Sequence, residues 1–465
     1  MRKLSEETSA VFVLNRKTGG IKMKIQLSEH FTYKKLLCFT IPSITMMIFT
    51  SIYGVVDGLF VSNFVGKTSF AAVNFIMPFL QILGTIGFMF GTGGGALIAK
   101  TLGEGKADEA KRQFSLFVYV TFACGAILAL IGILCIEPIA MLLGAEGEML
   151  ENCVVYGRLV LIALPFYMLQ FEFQSFFPTA EKPQLGLGVT VASGVMNMAL
   201  DALFMKVFGW GLIGAAAATA ISQSAGAMIA VIYFFRPNTS LLQLTKTKFD
   251  GSALLKASVN GSSELMSSIS MSLVSMLYNM QLMKYAKEAG VAAYGVLMYV
   301  GMIFFSAFIG YSVGTAPVIG YHYGAGGWTE LKSILKKSSV IIGIFSVSML
   351  LLSEVLAQPL SAIFVGYDRE LMELTLRGFQ IFSFCFLLAG VPIFGSSFFT
   401  ALNNGLVSAA ISFLRTLVFQ IAAVFILPVF WGIDGIWMSI VAAEFMAVVI
   451  TVFFILKMRN KYHYL

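Results

Sequence analysis

Charge is what this sequence has least of. Only 12% of its 465 residues are Asp, Glu, Lys or Arg, where a soluble domain carries about 25%. So few charges cannot cover a water-soluble body of this size, and lipid must cover much of the surface instead. Histidine is scarcer still. His30, His322 and His463 are scattered along the chain, and no zinc cluster is suggested. The five cysteines, Cys38, Cys124, Cys135, Cys153 and Cys385, form no CxxC pair. They sit in or beside apolar runs and read as small core residues. There is no HExxH, no GxSxG and no dinucleotide fingerprint in a βαβ setting. The segment "GGALIAKT" (94–101) resembles a phosphate-binding loop, but Ala99 stands where the second Gly is required. An enzyme is not expected.

What is present is apolar. Hydrophobic residues make up 58% of the chain, with 44 Gly and 43 Phe. A helix needs about 20 apolar residues to cross a bilayer. Twelve such spans are read near 36–61, 71–98, 114–136, 154–177, 184–207, 211–235, 257–283, 291–320, 338–357, 373–399, 406–428 and 433–456. Pro42, Pro78, Pro165, Pro317 and Pro392 fall inside these runs, where neighbouring helices or water can satisfy the freed backbone groups. The expected fold is an all-α polytopic membrane protein. The expected organisation is an N-terminal segment 1–35, a first six-helix lobe 36–235, a linker 236–256, a second lobe 257–457 and a tail 458–465. The first residues carry charges of both signs and do not read as a signal peptide. Met23 opens a conventional-looking start, and residues 1–22 read as an upstream extension without structure.

The formal net charge of +7 could suggest nucleic acid, but the cations lie at the ends of apolar segments. With the N-terminus inside, 23 of the 31 Lys and Arg fall on inner segments and five on outer loops. The outer loops are acidic instead, with Glu146, Glu148 and Glu151, then Asp368 and Glu370. This asymmetry predicts an even number of spans with both ends in the cytoplasm, in a plasma membrane. Arg158, Arg377 and Arg415 remain, within or at the ends of spans, none at mid-depth.

The chain also repeats itself at an ungapped offset of 221. Gly93, Gly103, Gly105, Glu109 and Lys111 fall on Gly314, Gly324, Gly326, Glu330 and Lys332. Phe177, Thr179 and Ala180 fall on Phe398, Thr400 and Ala401, and Gly211 and Gly214 on Gly432 and Gly435. Six spans separate the copies, so both halves share one orientation. Parallel repeats related by an axis along the membrane normal typify transporters, with a site between or within the halves.

Acids inside spans carry the chemistry, because a charge in hydrocarbon is costly and such residues usually face a cavity. Asp57 lies in the outer part of span 1 and Asp201 in the outer part of span 5, at matched depth. Asn197 is one turn from Asp201 on the same face, and Thr219 lies in span 6. Two carboxylates held close in an apolar place would not both stay ionised near neutral pH. The pair suits proton binding, or Na⁺ binding with the Asn197 and Thr219 oxygens. At the 221 offset their mates are Tyr278, Val418 and Ala422 for Asp57, Asn197 and Asp201. Scaffold is duplicated while charge is not, so these acids are not scaffold. Gln174, Gln223, Glu264, Tyr278 and Glu444 are candidate contacts for a solute in the central cleft. Glu172, in the inner part of span 4, is a further one. Each of these acids could equally be an interhelical hydrogen-bond partner.

Two segments carry a resemblance. "IPSITMMIFTSIYGVVDGLFVSNFVG" (41–66) and "NMALDALFMKVFGWGLIGAAAATAISQ" (197–223) resemble the multidrug and toxic compound extrusion (MATE) family. The likeness covers roughly residues 27–457 and departs from the family at "NGSSE" (260–264), where a Pro is common. It implies a V-shaped pair of six-helix lobes and antiport of H⁺ or Na⁺ against amphipathic, often cationic organic compounds. It places Asp57, Asn197, Asp201 and Thr219 at the first lobe's cation site. No other cofactor is expected; the partners are small organic solutes and the bilayer, and a monomer is expected. The rival readings are a lipid-linked sugar flippase, which needs a basic cleft, and a channel or receptor without coupled transport.

Overall fold

A computed structural model describes residues 25–464. The reading of residues 1–22 as an extension lies outside the described residues. Among the described residues there is no strand; the chain is a succession of long helices. The first half runs through α1 (Tyr33–Phe64), α2 (Lys67–Gly103), α3 (Ala107–Leu143), α4 (Gly147–Ile162), α5 (Leu164–Thr179), α6 (Pro183–Asp201) and α7 (Gly211–Phe235). The second runs through α8 (Gly251–Gly324), α9 (Trp328–Val365), α10 (Arg369–Phe382), α11 (Phe384–Ala401), α12 (Gly405–Phe413) and α13 (Phe419–Tyr462).

Twelve crossings emerge once breaks are respected. Helices α4 and α5 form one crossing bent by 60°, because Pro165 disfavours helical geometry just before it; α10 and α11 form its counterpart, broken at Ser383. The 74-residue α8 is two crossings joined at Lys287 (φ 54°, ψ −146°), and α13 turns back at Gly432 (φ 57°, ψ −132°). A π-turn extends α6 (Ala202–Val207), and another joins α12 to α13 (Leu414–Val418). The second half starts earlier than its hydropathy suggests, at Gly251. Asp250 caps that helix by accepting from the Ser252 and Ala253 amides.

The repeat is visible in the backbone. Left-handed backbone recurs at the same offset: Gly66 with Lys287, Gly105 with Gly326, and Gly211 with Gly432. Lys287 is the exception, a side chain where its mate is glycine.

The lobes meet along a seam built on close backbone approach. A Cβ on Gly103 would lie 2.0 Å from the Tyr321 carbonyl oxygen, and one on Gly324 would lie 2.0 Å from that of Lys100. These two contacts are each other's repeat images, so a pseudo-two-fold axis passes between α2 and the end of α8. The same symmetry relates Gly93 against Ala257 and Gly261 to Gly314 against Ser43 and Thr40. Small residues allow helices to approach this closely in a membrane. Asn260 adds a hydrogen bond to the Gly93 carbonyl (3.4 Å), and Asn403 one to that of Ala96 (3.3 Å).

At the end of the bundle rich in lysine, the segment before α1 crosses the seam. The Leu27 amide donates to Glu181 of the first lobe (2.7 Å), and the Phe31 amide to Glu330 of the second (2.9 Å). The His30 ring also meets Glu330, at 2.5 Å, and the Lys337 ammonium donates to the Phe31 carbonyl. Leu27 and Phe31 are fully buried. Cys153 and Cys385 are buried, whereas Cys38 is exposed, so not every cysteine is a core residue.

Candidate functional site

Two polar regions lie inside this apolar frame, one within the first lobe and one between the lobes. In the first lobe α1 brings Asp57, α6 brings Asn197 and Asp201, and α7 brings Thr219; all four are buried. The carboxyl groups of Asp57 and Asp201 lie next to each other. The phenol of Tyr156, from α4, closes on both of them and on Thr219. Among the described residues, Asp57 Oδ1, Asn197 Oδ1, both Asp201 carboxylate oxygens and Thr219 Oγ1 find no hydrogen-bond partner. Buried polar atoms are ordinarily paired, so this group of five oxygens is primed for something other than its own side chains. The π-turn that begins at Ala202 starts directly after Asp201, and π-turns often mark functional positions.

Gln223 belongs to this lobe's interior. It is buried one turn from Thr219, with an unpartnered Oε1, and it does not line the central cavity. Its expected place in the cleft is therefore corrected: the face it shares with Thr219 turns into the first lobe. Glu172 likewise points inward, to Thr121 of α3 at 3.1 Å.

The second region is a cavity of about 420 Å³ between the lobes. Its wall combines apolar groups such as Met47, Phe88, Met271 and Phe305 with hydroxyls such as Ser267, Ser396, Thr400 and Ser412. The hydroxyls form a connected row: Ser396 reaches Ser408 (2.8 Å) and Ser412 (2.9 Å), and Thr400 reaches Ser408 (2.7 Å). Gln174, Glu264, Tyr278 and Glu444 all line the cavity. Tyr278 donates to Gln420 Oε1 at 2.7 Å and stacks on Tyr294.

Glu444 is not available as expected. Arg415 grips its carboxylate with Nε 2.9 Å from both oxygens and Nη2 2.8 Å from Oε1. Arg415 is also placed differently from the sequence reading. Its side chain is largely buried and lines the cavity, whereas Arg158 and Arg377 sit at more exposed sites with Glu137 and Asp434. Sequence reasoning missed the pairing because the partners are 29 positions apart on two different crossings. It missed Tyr156 because an aromatic in an apolar run gives no signal.

The profile of the MatE family matches residues 42–203 and again 265–426, once in each lobe. The chain belongs to the MatE family. Multidrug export protein MepA of Staphylococcus aureus (strain MRSA252) is 24% identical over 430 residues, covering 92% of this chain and 94% of that protein. MepA of Staphylococcus saprophyticus is 25% identical over 436 residues, with the same coverage. Among solved structures, an outward-facing multidrug-resistance MATE transporter superposes with a TM-score of 0.86 at 21% identity, covering 91% of this chain and 95% of that one. A MATE protein crystallised with MaL6 gives 0.87 at 20% identity, covering 91% and 96%. The two-lobed, twelve-span fold is thus that of MATE transporters.

Proposed function

We propose that this chain is a cation-coupled antiporter that exports amphipathic, often cationic organic compounds through the central cavity. In this reading H⁺ or Na⁺ enters at the site formed by Asp57 and Asp201, with Asn197 and Thr219 as further oxygen donors. The observation that carries it is the cluster of buried, unpartnered oxygens around two adjacent carboxylates in one lobe only. A bound proton or a small cation satisfies such oxygens, and the site can release it when the lobes rearrange. One elementary charge moving through 100 mV is worth about 2.3 kcal/mol, enough to bias two lobe arrangements that bind the ion unequally. The names of the relatives support organic compounds as the exported class. The monomer is the expected unit, and both termini and the lysine-rich end face the cytoplasm. A flippase for diphosphate-linked sugars is disfavoured because the cavity's guanidinium is already taken by Glu444.

Proteoliposomes that take up a fluorescent organic cation, driven in turn by a pH and a Na⁺ gradient, test this. Uptake under one gradient is expected; none under either overturns antiport. Cysteines placed near Lys106, Lys246 and Lys336 should label from the cytoplasm, and those near Glu148 and Asp368 from outside. One reversed loop breaks the orientation.

A further inference from the structure

The cavity's charges come from few groups. Among the described residues that line it, the charged ones are Glu264, Arg415 and Glu444. Arg415 and Glu444 form a two-point pair with most of the Glu444 carboxylate satisfied. Such a planar fork geometry is specific to arginine. Glu264 lies within the electrostatic reach of Arg415 and has no hydrogen-bond partner among the described residues. With all three ionised the wall carries a net charge of −1, and that charge sits on Glu264.

The repeat shows that this arrangement was built into one lobe. The mates of Arg415 and Glu444 are Gly194 and Gln223. In the first lobe the ring of Phe49 stands over Gly194, 2.5 Å from where a Cβ would be. The mate of Phe49 is Ser270. Bulk has therefore passed from the first helix of the lobe to the fifth, and it is a charged bulk, delivered on a π-turn.

We propose that Arg415 is the specificity-determining residue of the cavity, and that by neutralising Glu444 it makes the site accept organic cations of one positive charge and reject those of two. A monocation is matched by Glu264. A second positive centre finds no free carboxylate and is left facing the guanidinium, which is repulsive at short range in a poorly solvated cavity. The proposal rests on the cavity being the path of the exported compound.

Binding of tetraphenylphosphonium and of a bis-quaternary ammonium compound with matched ring count to the full-length protein in nanodiscs tests it. Wild type should bind the monocation at least about tenfold more tightly, a difference of about 1.4 kcal/mol. Arg415→Gln, which frees Glu444, should narrow or reverse that ratio. Arg415→Met combined with Glu444→Met removes the pair by apolar groups of similar size and should bring the ratio back, so that the change in Arg415→Gln traces to the freed carboxylate. Equal affinity for the two compounds in wild type overturns the proposal, as does a ratio unmoved in folded Arg415→Gln. Should Arg415→Gln fail to fold, the wild-type ratio still decides, since equal affinity for the two compounds overturns the proposal. Binding of neither compound, with no gradient-driven uptake of any organic cation, is instead a failure of the export reading.

Discussion

The two lobes share one backbone and differ in how they treat buried carboxylates. In the first, Asp57 and Asp201 stand side by side, and Asp57 Oδ1 and both Asp201 oxygens find no hydrogen-bond partner among the described residues. In the second, the mate of Asp57 is Tyr278, whose hydroxyl is satisfied by Gln420, and the buried acid Glu444 is clasped by Arg415. Burying an ion is expensive unless it is paired or neutralised. The second lobe solves that problem for Glu444; the first leaves it open at Asp57 and Asp201, and an open site is one an external ion can close. The two copies share a frame and differ at a few polar positions.

The comparison can be broken most severely at the first-lobe acids. Asp57→Asn and Asp201→Asn should each reduce gradient-driven export by a factor of about a hundred or more. The double variant should be little worse than either, since both remove one coupling step. A single variant exporting at the wild-type rate ends the shared-site reading.

The second-lobe pair should respond in the opposite way. Arg415→Met leaves Glu444 buried alone and should lower stability by about 3 kcal/mol, whereas Arg415→Met with Glu444→Met should return most of it. Thermal unfolding in detergent checks both, and a double variant as weak as the single one contradicts the pairing argument.

Symmetry predicts equality at the seam. Gly103→Val and Gly324→Val push a side chain into backbone on opposite sides of the pseudo-axis. Each should raise the labelling rate of a cysteine at Ala96 by roughly tenfold, by favouring lobe separation. A large difference between the two would show that the axis does not govern closure.

The smallest effect concerns a single residue. Lys287 holds the conformation that its mate Gly66 adopts freely. Lys287→Gly should stabilise the protein by about 1 kcal/mol, visible as a raised melting temperature. No gain would mean that contacts of Lys287 offset the backbone strain.

Much of the frame was legible in advance. Long apolar runs and the 221-residue offset lead to twelve crossings in two copies because bilayer thickness and helical rise leave little choice. The depth of Asp57 and Asp201 is readable for the same reason. Boundaries were harder. The start of α8 at Gly251 lay in a stretch read as polar linker, although Asp250 is a legible cap. The bend before Pro165 lies inside a run read as one span, with Pro165 noted in it but its 60° bend not foreseen. Arg415 was the main misreading: hydropathy cannot tell an arginine that reaches for the surface from one drawn inward by a carboxylate on another helix. Gln223 and Glu444, mates in the repeat, were read alike, yet one faces the interior of its lobe and the other is neutralised by a cation.

The segment ahead of α1 sets a limit on motion. Leu27 is anchored to one lobe through Glu181 and Phe31 to the other through Glu330. The two anchors are four positions apart, and four residues fully extended reach about 14 Å. The segment is therefore a tether of fixed length across the lysine-rich end. The lobes can part there only until it is taut, and any wider opening must first detach a carboxylate from a backbone amide.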